Sequence, residues 1–399
     1  MKTVRYGICG YGNQGSYYAK LIKEGKVPNA DVTVICDLNE NKLNAAKNNL
    51  FKGDKKVKYY KDYKKVLKDK SCDVLMVIVP HYYHPEIVIN TLKAGIHALC
   101  DKPAGVYTKQ VKDMNKVANK SKKLFGMMFN QRTNCVYRKM KDIIAKGGIG
   151  ELQRVNWIIT DWYRSQFYYD SGSWRASWKG EGGGVLINQC PHQLDLVSWI
   201  IGEQPKTVYG HCKYGRWHNV EVEDEVTAYF EYKNGATGVF ITTTGEAPGT
   251  NRLEVSGTKG KILCENDKLY YYKNKMDSTK HIQISKTNFD KPECIFTAPK
   301  TDGKNLQHLG ILINFTNAVL KKEKLFVKGQ EGINGVELMN AIELSGWKKG
   351  APVTIPVNEK EYYKELMKRV KTSRLKAAND NYIADTLNFG TGQHGIKNK

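Results

Sequence analysis

The chain opens on a short apolar run, residues 3–9, that stops at glycines, and the pattern then switches to helical spacing over 14–24. The alternation repeats. Residues 31–36 and 73–79 are near-continuous apolar runs, helical stretches follow at 39–50 and 84–95, and further runs lie at 97–100 and 124–129. Strands alternating with helices predict parallel βαβ units in a doubly wound sheet, and strands apolar on both sides predict a sheet covered on both faces. After about residue 130 the rhythm changes. A helix over 133–146 ends at Gly147-Gly148, and period-two stretches follow at 152–160, 205–213, 223–232, 236–244, 252–256, 261–264 and 269–272. These predict a large open antiparallel sheet, with hairpin turns at Lys233-Asn234-Gly235 and Gly257-Thr258-Lys259-Gly260. Helices over 308–321 and 330–348, a short strand over 351–357 and a helix over 359–370 complete the pattern. The expected fold class is α/β. It has a doubly wound parallel sheet in domain 1–130, an α+β domain over 131–370 and a polar tail over 371–399.

Bulk properties narrow the function. A chain of 399 residues is long for one core, which agrees with two domains. No run of about 18 uncharged apolar residues exists to span a membrane, and the N-terminus lacks a signal peptide's apolar core, so a cytoplasmic protein is expected. The nine cysteines are scattered without a Cys-x-x-Cys unit, which predicts reduced thiols and no metal cluster. The net charge of +23 comes from lysines spread along the whole chain, with no nucleic-acid motif beside them. It reads as a solvated surface that draws anions, and no nucleic-acid partner is expected.

Gly10-Tyr11-Gly12-Asn13-Gln14-Gly15 is a G-x-G-x-x-G that follows the first strand and opens the first helix. In that context it reads as a Rossmann dinucleotide site. Gly10 permits the tight turn, Gly12 lets backbone approach a pyrophosphate, and Gly15 lets the helix pack on the strand. The helix N-terminus at Asn13 and Gln14 offers N–H groups to the phosphates. Asp37 ends the second strand, 22 residues after Gly15, where a carboxylate grips the ribose 2′-hydroxyl. It would repel a 2′-phosphate, and Leu38-Asn39 supplies no arginine, so NAD is expected over NADP. The competing reading is an ordinary βα turn in which Asp37 caps the next helix.

Two segments carry candidate chemistry. Asp101-Lys102-Pro103 stands at the C-terminal end of a parallel strand, where ligands bind in open α/β sheets. Gly182-Gly183-Gly184 lets the chain pass close to a neighbour, and Asn188, His192 and Asp195 follow at helical spacing. Pro191 fits that helix if Asn188 is its N-cap, so Asn188 is either a cap, a substrate contact, or both. His192 is either a base or a core histidine bonded to Asp195. Trp162, Arg164 and Tyr168, with Trp174-Arg175, form an aromatic and cationic stretch. It suits a sugar ring and its hydroxyls, or else a packed loop.

Together these pieces resemble the family of glucose–fructose oxidoreductase, inositol dehydrogenase and their relatives. The matching segments are the glycine motif, Val79-Pro80-His81-Tyr82-Tyr83-His84, Ala94-Gly95-Ile96-His97, Asp101-Lys102-Pro103, residues 182–195 and 253–260, and the likeness runs to about residue 370. The resemblance implies that Pro80, His84, Asp101, Lys102, Trp174 and Arg175 lie near NAD. It implies that Lys102 sits beside nicotinamide and substrate, and that His192 handles the substrate proton. The substrate would be a sugar, glycoside or polyol, touched by Lys102, Trp162, Arg164, Tyr168, Asn188 and His192. The protein would be a homodimer or homotetramer. Two departures stand out: Asp101 replaces the usual glutamate, and Asn188 replaces the aspartate of inositol dehydrogenases. An amide accepts no proton, so a dyad with His192 is weakened and the substrate stays open. The expected activity is NAD-dependent oxidation of a ring CH–OH to a keto sugar. The alternatives are redox-neutral glycoside cleavage or isomerisation with tightly held NAD, and a non-catalytic sensor, against which the intact Lys102 and His192 argue.

Overall fold

The computed structural model describes residues 3–376. In chain order the elements are β1 (Val4–Cys9), α1 (Asn13–Lys23), β2 (Ala30–Cys36), α2 (Glu40–Asn48), β3 (Lys58–Tyr60), α3 (Tyr63–Lys68), β4 (Val74–Val77), α4 (His84–Lys93), β5 (His97–Cys100), α5 (Thr108–Lys120) and β6 (Phe125–Met127). They continue with α6 (Cys135–Ala145), β7 (Leu152–Ile159), α7 (Gln166–Asp170), α8 (Val185–Asn188), α9 (Pro191–Ile201), β8 (Thr207–Tyr214), β9 (Glu223–Glu231), β10 (Thr237–Thr243), β11 (Asn251–Gly257), β12 (Gly260–Glu265), β13 (Lys268–Asn274), α10 (Ser278–Ile284) and β14 (Cys294–Thr297). The last are α11 (Gln307–Val319), α12 (Gly332–Trp347), β15 (Val353–Thr354) and α13 (Glu359–Thr372). Two compact units divide the described chain: residues 3–133 with 306–336, and residues 134–305 with 337–376. Helix α11, which the sequence pattern placed with the second domain, belongs to the first unit.

The first unit is built on a six-stranded sheet in the order β3-β2-β1-β4-β5-β6, and every pair in it is parallel. Its central strands are apolar without alternation because both faces are covered: all four residues of β4 are buried. α11 packs back onto this sheet, where the buried Tyr6 hydroxyl meets the Thr316 hydroxyl at 2.8 Å. The second unit holds a nine-stranded sheet in the order β14-β13-β12-β11-β7-β10-β9-β8-β15. It is antiparallel except where β7 and β10 run side by side in parallel, a pairing the expectation of hairpins did not contain. The polar tail expected from 371 lies outside the described residues from 377 onward. Among the described residues no helix is long and apolar enough to cross a membrane.

The glycine motif shows how tightly sequence sets the first turn. A Cβ on Gly15 would stand 2.0 Å from the Gly10 carbonyl oxygen, whereas a Cβ on Gly12 would meet nothing within 4 Å. Gly15→Ala should therefore destabilise the first unit by about 1–3 kcal/mol or more. Gly12→Ala should cost less than about 1 kcal/mol, the preference for glycine over alanine at an N-cap. Thermal denaturation of the two variants checks this, and equal losses would contradict it.

Candidate active site

In the first unit the chain leaves β1 and turns at Gly10, whose φ of +99° and contact with the Ile78 carbonyl admit only glycine. Helix α1 then begins after Gly12, with no side chain capping its first turn. An eleven-residue helix with an open glycine at its N-cap and uncapped N–H groups has room and polarity for a pyrophosphate, so these residues fit a dinucleotide. Asp37 follows β2. Its carboxylate accepts the Tyr11 N–H at 2.8 Å and the Asn39 N–H at 2.9 Å, which ties the glycine loop to the end of β2. The cap of α2 is Asn39, which accepts the Asn41 N–H, so Asp37 does not cap that helix. Lys42 Nζ lies 3.7 Å from Asp37, a cation in the first turn of α2 that the dipeptide Leu38-Asn39 did not reveal.

The ends of β4 and β5 carry the next group. Pro80 starts a short 3₁₀ turn that leads into α4. His84 is fully buried, and its two ring nitrogens lie 2.7 Å from the carbonyls of Pro103 and Val79. It thus stitches the loop after β5 to the loop after β4, and burial holds its pKa below the ordinary value. Asp101 accepts the Lys102 N–H at 2.8 Å and stands 3.5 Å from the Tyr18 hydroxyl, which Gln14 also engages. Burial pushes the Asp101 carboxyl up to about 6, against the pull of the Lys102 cation. His308, at the start of α11, completes the cluster. Its ring is 5.5 Å from that of Tyr18 and 5.8 Å from that of Tyr17, and burial together with the Lys102 charge pushes its pKa down to about 4. Lys102 therefore stands among a neutral imidazole, a buried tyrosine and a carboxyl of raised pKa.

In the second unit the glycine run passes against β9. A Cβ on Gly184 would stand 2.0 Å from the Glu223 carbonyl oxygen, and the Glu223 carboxylate accepts the N–H groups of Gly184 and Leu186 at 2.8 and 3.1 Å. The helix expected to run from Asn188 through Asp195 is broken. α8 ends at Asn188, Cys190 is the N-cap of α9, and Pro191 takes its first position, where the missing N–H is no loss. Asn188 is therefore not the cap of the helix that carries His192. Its amide instead donates to Glu181, and its oxygen lies 3.4 Å from the Tyr168 hydroxyl. His192 and Asp195 are both buried on α9.

The aromatic stretch folds on itself. Arg164 lies over the rings of Trp162 and Tyr168, at 5.6 and 5.2 Å, and Arg175 over those of Tyr168 and Trp174, at 4.6 and 4.9 Å. Arg175 also donates to the Tyr168 hydroxyl at 2.8 Å. The aromatic faces expected to meet a sugar are thus partly occupied by guanidinium groups, which leaves hydroxyls, amides and cations as the polar equipment of this segment. The backbone of Arg164 is pinned by His218, whose Nε2 is 2.8 Å from the Arg164 carbonyl and whose Nδ1 is 3.1 Å from the buried Asp224.

The structure thus gathers Gly10, Gly12, Asn13, Gln14, Gly15, Asp37, Pro80, His84, Asp101 and Lys102 in the first unit. It gathers Trp162, Arg164, Tyr168, Trp174, Arg175, Asn188 and His192 in the second. Sequence reading missed Tyr18, His308, Glu181 and Glu223. Glu181 alone had a local signal, a carboxylate placed immediately before three glycines. Among the described residues no group of three or more His, Cys, Asp and Glu side chains could hold a metal ion.

Comparison with known proteins matches the chain to two family profiles. One, described as an oxidoreductase family with an NAD-binding Rossmann fold, covers residues 4–129, and the other, the GFO/IDH/MocA C-terminal domain, covers residues 137–263. Myo-inositol 2-dehydrogenase of Thermotoga maritima is 26% identical over 270 residues, 66% of this chain and 75% of that protein. Among solved structures, the WlbA dehydrogenase of Bordetella pertussis with NADH and UDP-GlcNAcA superposes with a TM-score of 0.74 at 22% identity, over 90% of this chain and all (100%) of that one. Levoglucosan dehydrogenase with NADH and levoglucosan gives 0.72 at 19% identity, over 89% of this chain and 100% of that one. At these identities the structural likeness establishes the fold.

The carboxylates behind the glycine run make stability depend on pH. Burial pushes Glu223 from an ordinary value of 4.5 up to about 7, and burial and the Glu223 charge together raise Glu343. An acid whose pKa is raised on folding stabilises the fold below its unfolded value, and that stabilisation is lost as pH rises through the folded value. The melting temperature should thus fall between about pH 5 and pH 8. Glu223→Gln keeps the acceptor used by Gly184 and Leu186, removes the charge, and should flatten the decline. A calorimetric pH series on both proteins checks this, and an unchanged slope would contradict it.

Proposed function

This chain belongs to the GFO/IDH/MocA oxidoreductases, and on that premise we propose that it takes a hydride from a ring carbon of a sugar, glycoside or inositol, leaving a keto sugar. It is an NAD-dependent dehydrogenase acting on CH–OH groups. NAD supplies the hydride acceptor, and the protein orients the substrate, moves its proton and steadies charge. The observation that carries the substrate class is the hydrogen-bonded network of Arg175, Tyr168, Asn188 and Gln189, whose last two members stand about one turn before His192. A polyol has what such a network needs, several hydroxyls that both donate and accept. The two relatives named inositol and levoglucosan dehydrogenase act on molecules of that kind.

His192 is the proposed base for the reacting hydroxyl, since imidazole titrates near the working pH. Lys102 is proposed to stand beside the nicotinamide and to steady negative charge as the substrate proton leaves. The neutral His308 beside Lys102 keeps a second positive charge out of its surroundings. We extend the proposal to a homodimer or homotetramer formed through the second unit's open sheet. Tyr209 and Tyr229 pair there across β8 and β9, with ring centroids 5.7 Å apart and Tyr229 exposed.

A panel of sugars, inositols and glycosides, read at the NADH absorbance, tests the activity. At least one member should be oxidised, faster with NAD than with NADP. His192→Ala and Lys102→Ala should each lower turnover by roughly 100- to 10,000-fold while NAD still binds. Near-normal turnover in folded His192→Ala would remove it from the mechanism. NAD retained through purification, with no NADH released on any substrate, would favour the redox-neutral reading. Assembly is checked separately by light scattering at micromolar concentration, where a monomer would refute the oligomer.

A further inference from the structure

Glu181 is almost fully buried, at 1% exposure, immediately before the glycine run. One carboxylate oxygen accepts the Ala176 N–H at 2.6 Å, and the other accepts the side-chain amide of Asn188. The group that Asn188 turns toward Glu181 is its NH₂, which donates to the carboxyl oxygen. That choice fixes the other end of the amide. The Asn188 oxygen faces Tyr168, whose hydroxyl takes hydrogen bonds from Arg175 at 2.8 Å and Gln189 at 3.3 Å and so has its own proton to donate at 3.4 Å. Every donor in the chain Arg175–Tyr168–Asn188–Glu181 then points the same way, from guanidinium to carboxylate.

We propose that Glu181 is a positioning residue for the dehydrogenation, acting through Asn188: it locks the amide so that an acceptor oxygen stands at the end of α8. The inference rests on the dehydrogenase reading above and deepens it. It also accounts for asparagine at this position. A carboxylate at 188 would confront the Glu181 carboxylate in a buried site, where one of the two would have to hold a proton. The carboxyl stands one side chain back, at Glu181, while position 188 keeps a neutral acceptor.

The polarity argument predicts what each exchange does. In Glu181→Gln the new amide has one acceptor, which the Ala176 N–H takes, so its NH₂ faces Asn188 and the Asn188 amide must invert. Position 188 then offers a donor where wild type offers an acceptor. In Asn188→Asp two carboxylates meet. In the double variant Glu181→Gln with Asn188→Asp, the glutamine at position 181 accepts from Ala176 and donates to the aspartate at position 188. An acceptor is thereby restored at 188.

Two readouts test this on the full-length protein. The first is the side-chain NH₂ signal of Asn188 in amide NMR, assigned by its loss in Asn188→Asp. It should shift in Glu181→Gln as the carboxylate acceptor is lost, and an unmoved signal would overturn the proposal. The second is kcat/KM with whichever polyol yields NADH. It should fall about tenfold in each single variant, with NAD affinity unchanged and a new ionisation in the pH profile of Asn188→Asp. The double variant should recover most of that loss, and a double variant no better than Asn188→Asp would also overturn the proposal. If Glu181→Gln alone does not fold, the comparison of Asn188→Asp with the double variant carries the same test. If wild type oxidises no member of the panel, the dehydrogenase reading fails, while the NMR readout still decides whether Glu181 sets the amide.

Discussion

Buried carboxylates held by N–H and O–H donors are the constraint around which the second unit is arranged. Glu181, Glu223 and Glu343 are each at most 1% exposed, and all lie around the stretch 181–184. Burying a carboxyl group is costly unless hydrogen bonds replace the lost water. Glu223 takes two backbone N–H groups from the start of α8, Glu181 takes one backbone N–H and the Asn188 amide, and Glu343 takes the Tyr362 hydroxyl. Those contacts need backbone at close range, and glycine provides it. A side chain at 184 would collide with the Glu223 carbonyl, and one at 183 would approach the Glu343 carboxylate to 2.8 Å. The Glu223 contacts hold the start of α8 at Gly184, and after the break at Gln189-Cys190 Pro191 starts α9. Together they set where Asn188 and His192 stand.

The first unit uses the same device once more. Asp37 satisfies two loop N–H groups, and the open glycine at the start of α1 leaves that helix end free for an anionic ligand. Asp101 and His84 hold the loops after β4 and β5 through backbone contacts, which places Lys102 at the strand ends. In both units carboxylates near the proposed chemistry are thus anchored to main chain. Main-chain anchoring fixes direction better than pairing two long side chains, because one partner has no rotamers to lose.

Much of this was legible in the sequence. The strand–glycine–helix passage at the N-terminus announces itself because periodicity and the glycine spacing agree, and Pro191 marks a helix start because it has no N–H to satisfy. The parts that stayed hidden have physical reasons. α5 buries only Thr108, Val111, Met114 and Ala118 among lysines and other polar residues, so its apolar stripe is thin. β14 is exposed along its whole length and carries no burial signal. Asn188 looked like a cap because capping chemistry is local, whereas its actual partner depends on a tight glycine turn that folds residue 181 back onto it. His308 reaches the Lys102 region only through the return of α11 to the first unit, which no local pattern records.

The most direct measurement follows the hydrogen itself. Once a substrate is found, it can be prepared with deuterium on the ring carbon that bears the reacting hydroxyl and incubated with NAD and the enzyme. The mass of the reduced cofactor then reports the transfer. The dehydrogenase account predicts one deuterium in the NADH formed, in proportion to the keto product. Product formed with the deuterium lost to solvent, or conversion without labelled NADH, would contradict it.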